Sequence, residues 1–224
     1  PYLRKAFPEI IVYGSAHCQA ILQRPNAKVL MKELGTAARD LYRPESTEEI
    51  PVDDLAVDVA LKDGDIVSLG NETIQAIEAK GHTDCSMAYA LEPDGILFTS
   101  ESTGIVEAGL AINTPILKSF ADAKASLDKC KAYGARYICL PHFGLIPQDF
   151  NEEYWDRFEQ GCEDRIQMAR EMKAEGLEAD QMLERYRDRY WDPIMEQEQP
   201  IEAFLINAKN IIKAALRALE MEEK

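Results

Sequence analysis

Between Glu72 and Glu101 the chain alternates apolar and polar residues, broken only by turn residues, and this run commits it to a sheet. Ile74, Ala76 and Glu78 fall on one face and Thr73, Gln75, Ile77 and Ala79 on the other, so the spacing predicts a strand over 72–80 that runs into Gly81. The chain then turns and presents His82. A second strand is predicted over 86–91, a turn at Glu92-Pro93-Asp94-Gly95, and a third short strand over 96–98 that delivers Thr99, Ser100 and Glu101 at its end. Two side chains of metal-ligating type, His82 and Glu101, are therefore expected at neighbouring strand ends.

The flanking segments supply further elements. Residues 1–7 read as the end of a helix stopped near Pro8, 9–14 as a short buried strand, and Ser15 as the cap of a helix reaching Gln23. Val29, Leu30, Leu34, Ala37, Ala38 and Leu41 recur at helical spacing, which predicts a helix over 26–42 whose apolar face is core and covers the sheet. The acidic, proline-interrupted stretch 43–54 is expected as a surface loop at the entrance to the site. Residues 57–61 and 66–69 flank Lys62-Asp63-Gly64-Asp65 and are expected to form a hairpin, with Asp63 and Asp65 as turn residues rather than ligands. Residues 103–115 are expected as a loop that touches substrate, 115–133 as an amphipathic helix, and 136–140 as a strand leading to Pro141-His142. Beyond about residue 150 only helical periodicity remains, ending in a sustained stripe from Ile201 through Leu219.

Charge and cysteine usage exclude several classes. Asp and Glu number 40 against 25 Lys and Arg, a net charge of −15 that would repel phosphate backbones and argues against a nucleic-acid partner. Five cysteines, an odd number with no C-x-x-C pair, argue against a disulfide framework and for a reducing cytoplasm. No run has the length of a membrane-spanning helix and no secretory leader is visible, so no membrane partner is expected.

Three short runs in a fixed order carry a resemblance. Gly81-His82-Thr83 before a strand, Leu97-Phe98-Thr99-Ser100-Glu101 after one, and Pro141-His142-Phe143-Gly144 after another resemble the later metal motifs of the metallo-β-lactamase superfamily. The resemblance implies an α+β fold, an αββα sandwich, over residues 1–150, with an all-helical extension over 151–224. It implies that His82 binds one metal, Glu101 bridges two, and His142 binds the second. The ions would be two divalent metals, zinc before iron or manganese, acting on a small-molecule substrate. Hydrolysis of an ester, thioester, lactone, amide or phosphoester is the activity implied.

The chain departs from the superfamily pattern in two places. Ser100-Glu101 stands where Gly-Asp is usual, and the first signature, His-X-His-X-Asp-His, is absent from these 224 residues. Because Pro1 to Phe7 resembles the helix that follows that signature, the chain is expected to be the C-terminal part of a larger enzyme. Two other readings stay open. A di-iron oxidoreductase of the same superfamily would use similar ligands, although no Gly-rich flavin or phosphate-binding stretch follows. A non-catalytic fragment could instead bind a partner through its C-terminal helices, which are also candidates for packing, for a homodimer arm or for a cover over the site.

Other residues near the motifs are weaker candidates. Asp84, Cys85 and Thr103 could face substrate, Cys85 as a soft ligand or nucleophile, though a lone thiol without a paired base is more simply a bystander. Thr83 is expected to fix the loop. His17 reads as a surface histidine, and Cys139 is a poorer ligand than His142 in their C-x-x-H.

Overall fold

Alternation along the first predicted strand sorts its side chains into two separate clusters, and the layers follow from that. The computed structural model describes residues 1–107 and 111–222. The main sheet holds six strands: β3 (Ile66–Ser68), β4 (Thr73–Glu78), β5 (Met87–Glu92), β6 (Ile96–Phe98), β9 (Tyr137–Leu140) and β10 (Gly144–Leu145), in the order β10-β9-β6-β5-β4-β3. Ile77, Ala88, Ala90, Leu97 and Ile138 point to one face and join a large core. Ala76 and Met87, one residue out of phase, point to the other and meet Leu61. A period of two permits nothing else.

Direction matters more than order for the site. β4 is antiparallel to β5, β5 is antiparallel to β6, and β6 is parallel to β9, so β4, β6 and β9 all run the same way. Their C-terminal ends share one edge of the molecule. The parallel step from β6 to β9 needs a crossover, supplied by helix α4 (Phe120–Tyr133). Ser119 caps that helix by accepting from the Asp122 amide at 3.1 Å, and Gly134, with φ at +69°, ends it in the left-handed conformation.

The helical C-terminal part covers the same face of the sheet as α4. It comprises α5 (Asn151–Ala174), α6 (Ala179–Tyr190), the short α7 (Met195–Glu198) and α8 (Ile201–Glu222). Phe204, Ala208, Ile211, Ile212, Ala215 and Leu219 of α8 are buried, so its apolar stripe is spent on packing within the chain. Each large side chain buried there contributes roughly 1.5–3 kcal/mol. At the start of α5 Phe150 holds the cap position, and Asn151 donates to the carbonyls of Ala135 and Arg136.

On the opposite face lie α1 (Tyr2–Ala6), β1 (Tyr13–Ser15), α2 (Ala16–Leu22), α3 (Pro25–Tyr42) and β2 (Val59–Leu61). Ser15 caps α2 by accepting from the Cys18 amide, as expected. Three expectations fail here, the first being the buried strand over 9–14, which is a strand only over Tyr13–Ser15 with Ile11 and Tyr13 exposed. The hairpin over 57–69 does not form, because β2 pairs in parallel with β1 while β3 pairs with β4, so the strands flanking the Lys62–Asp65 turn belong to different sheets. Helix α3 forms, but none of its residues is buried; Val29, Leu30, Leu34 and Leu41 are exposed and its apolar face is not core. Residues 103–115 also hold more order than a loop: β7 (Ile105–Val106) and β8 (Ile112–Asn113) pair antiparallel, with 108–110 outside the described residues. The overall arrangement is the expected α+β one, a helix-covered sheet facing a smaller β layer. Among the described residues no helix is long and apolar enough to cross a membrane.

Candidate metal centre

Each of the three expected ligands leaves the sheet from the C-terminal end of a strand. His82 follows β4 through Gly81, Glu101 follows β6 on a single 3₁₀ turn (Glu101–Thr103), and His142 follows β9. Because those three strands point the same way, side chains far apart in sequence line one cavity of about 610 Å³.

His82 is held at both ends. Its amide donates to Ser102 Oγ at 3.0 Å, and its Nδ1 lies 2.6 Å from the Pro115 carbonyl oxygen. A carbonyl only accepts, so Nδ1 carries the proton and Nε2 keeps its lone pair. This is the orientation a metal-binding imidazole requires. Glu101 and His142 meet directly, with Nε2 to Oε1 at 3.3 Å. The His142 side chain is 65% exposed and that of Glu101 31%, so the pair adds little to stability. His142 also has φ at +65°, a left-handed backbone rare for a residue with a Cβ. The turn beneath Glu101 is buttressed from α5, where the buried Tyr154 hydroxyl donates to the Thr103 carbonyl at 2.5 Å and to that of Gly104 at 3.2 Å.

Among the described residues no group of three or more His, Cys, Asp and Glu side chains is close enough to hold one metal ion. The donors fit part of a metal site: one oriented imidazole, and a carboxylate touching a second imidazole.

The weaker candidates go elsewhere. Asp84 lies on the surface, 3.7 Å from Lys118. Cys85 lines a separate cavity of about 280 Å³ together with Cys18, whose thiol is pushed up by burial and by its neighbour Cys85. Thr103 is fully buried and donates to the Ser100 carbonyl. Thr83 contacts Ser86 Oγ at 2.6 Å within its loop, and His17 is exposed and does not line the cavity. Asp63 and Asp65 hold the turn, accepting from the amides of Glu78 and Lys62.

The rest of the cavity is lined by the segment expected to touch substrate and by the C-terminal helices offered as a cover, but the individual residues were not among the expected site residues. Arg165 of α5, Tyr186 and Tyr190 of α6, and Phe204 and Asn207 of α8 line it, along with Asn113 and Glu107 from the β7–β8 segment. One signal was present: Arg165 interrupts the apolar stripe formed by Phe158, Cys162, Ile166, Met168 and Ala169. A lone cation on a core face is either neutralised or functional. Among the described residues none of 43–54, the loop expected at the entrance, lines the cavity; Tyr42, the last residue of α3, does.

This architecture is that of the metallo-β-lactamase fold. No known family profile matches the chain, and no curated protein does. Two of the solved structures to which the chain is similar cover nearly all of it. One is a metallo-beta-lactamase family protein from Thermus thermophilus, 18% identical, with a TM-score of 0.58 over 95% of this chain and 67% of that one. The other is a beta-lactamase domain protein from Burkholderia ambifaria, 16% identical, with a TM-score of 0.59 over 95% of this chain and 60% of that one. The chain thus spans about two thirds or less of the structures it resembles, and at these identities the likeness is one of fold.

Proposed function

We propose that this chain carries the later ligands of a metal-dependent hydrolase that cleaves an ester, thioester, lactone, amide or phosphoester bond in a small molecule. One observation carries the reading: His82, Glu101 and His142 line the same cavity, with His82 Nδ1 donating to the Pro115 carbonyl. Imidazole nitrogen with a hard carboxylate suits zinc, and also iron or manganese. A pair of such ions, when bound, brings a water to ionise near neutral pH and polarises a carbonyl or phosphoryl oxygen.

The residues themselves have defined tasks. His82 offers Nε2 and keeps its proton on Nδ1. Glu101 supplies a hard anion between the two imidazoles, and His142 supplies the second ring nitrogen. The β7–β8 segment and the C-terminal helices wall the rest of the cavity. Two ions need more donors than these three, so the reading requires ligands beyond the described residues.

Plasma mass spectrometry of the full-length gene product tests this. About two zinc, iron or manganese atoms per chain are expected, with at least one lost in His82→Ala and in His142→Ala. Unchanged stoichiometry in both variants, or no metal in the full-length protein, refutes the assignment. Iron accompanied by flavin absorbance would replace the hydrolase with an oxidoreductase.

A further inference from the structure

The cavity lined by the three donors also carries a buried cation whose hydrogen-bond partners, among the described residues, are all neutral. Arg165 is 8% exposed and lines the cavity. Its Nη2 donates to Asn113 Oδ1 at 3.2 Å, its Nη1 donates to the Gly161 carbonyl at 3.4 Å, and its guanidinium carbon sits 4.3 Å from the Tyr190 ring centroid. A guanidinium has five N–H donors in a fixed fork. Two are accepted by these oxygens, the Tyr186 hydroxyl also interacts with the guanidinium, and the buried Nε has no partner among the described residues.

A carboxylate stands nearby but is held away. Glu107 Oε1 accepts from Asn113 Nδ2 at 2.6 Å, and Asn113 turns its carbonyl oxygen toward Arg165. Asn113 is thus a neutral spacer between the acid and the cation. A buried charge is expensive unless an opposite charge meets it, and Arg favours carboxylate and phosphate because its fork binds two of their oxygens at once. Cation–π contact with Tyr190 and amide hydrogen bonds hold the guanidinium in place without neutralising it. The wider field does not help an anion, since the chain carries a net charge of −15. Attraction has to be local.

We propose that Arg165, held by Asn113 in a cavity that Asn207 also lines, is the recognition site for an anionic oxyacid group, carboxylate or phosphate, borne by the substrate. This rests on the reading of the cavity as a hydrolase site, and it narrows the substrate to a small organic acid or phosphorylated compound whose scissile bond reaches the three donors.

Binding without metal separates the two readings. The full chain is titrated calorimetrically in the presence of a chelator with succinate, with inorganic phosphate, and with the neutral isostere succinamide. Succinate or phosphate is expected to bind at least tenfold more tightly than succinamide, and whichever anion prevails identifies the group. Arg165→Met should weaken that anion at least tenfold. Asn113→Asp, nearly isosteric, should do the same by pairing the guanidinium internally. Equal binding of the anions and succinamide to the unaltered chain overturns the proposal whether or not the variants fold. So does undiminished anion binding in a folded Arg165→Met. Anion selectivity in a full-length protein that holds no metal would defeat the hydrolase and leave this site standing, whereas metal without anion selectivity would defeat this site alone.

Discussion

Gly81→Ala tests how the first ligand loop is held against the helical layer. Gly81 has φ at +136°, a conformation that residues with a Cβ rarely adopt. A Cβ added there would lie 2.7 Å from Ala123 Cβ, 2.8 Å from its Cα and 2.9 Å from its amide nitrogen. These are mostly atoms of the α4 backbone, and the Gly81 carbonyl accepts from Lys118 N at 3.0 Å and Ser119 N at 3.3 Å, so neither side yields cheaply. Backbone strain costs roughly 1–3 kcal/mol. Overpacking adds roughly 1–3 kcal/mol, so the total is about 2–6 kcal/mol. Gly64 is the matched control, because its φ is +85° but nothing lies within 4 Å of an added Cβ. Gly64→Ala carries the strain alone. Urea denaturation of both variants, followed by circular dichroism, should place Gly81→Ala below Gly64→Ala by about 1–3 kcal/mol. Equal stabilities would mean that the loop does not approach α4 this closely, and the restraint on His82 would lose its basis.

Tyr154→Phe removes the donor to the Thr103 and Gly104 carbonyls and should cost about 1–3 kcal/mol in denaturant unfolding; a loss under about 0.5 kcal/mol would sink the buttress. Leu97→Ala, at a fully buried strand position, should cost about 2–5 kcal/mol, whereas Leu34→Ala on α3, 41% exposed, should stay within about 0.5 kcal/mol. Comparable losses would show that something covers α3. Burial pushes the Cys130 thiol from 9.0 up to about 12, against a small opposing pull from Lys129. Because the folded value is the higher, the stability this thiol contributes is full below pH 9 and falls as pH rises toward 12. The stability gap between the unaltered chain and Cys130→Ala should therefore narrow by roughly 3 kcal/mol by pH 11, and a gap independent of pH would refute the burial.

How far the fold and site were legible from residues alone depended on the range of the interactions involved. The strands over 73–78, 87–92 and 96–98, helix α4 and the strand before His142 lie within a few residues of their expected places. Their signals are local: a period of two, the turn at Glu92–Gly95, the Ser119 cap and the Gly134 stop. The motifs around His82, Glu101 and His142 were visible for the same reason.

Whatever depended on a partner elsewhere in the chain was not. The Lys62–Asp65 turn has hairpin chemistry, yet Leu61 pairs with Ser15 and Ile66 with Gln75, because a turn specifies a reversal and not which strand will receive it. The stripe on α3 reads as core because periodicity records an apolar face, while burial requires something to cover it. Arg165 was readable as an intruder on an apolar helix face. Its place in one cavity with His82, Glu101 and His142 exists only once α5, α6 and α8 close over the sheet edge where β4, β6 and β9 end together. Residue chemistry and local geometry were therefore written along the chain, and the site was made by the common direction of three strands and the helices packed across their ends.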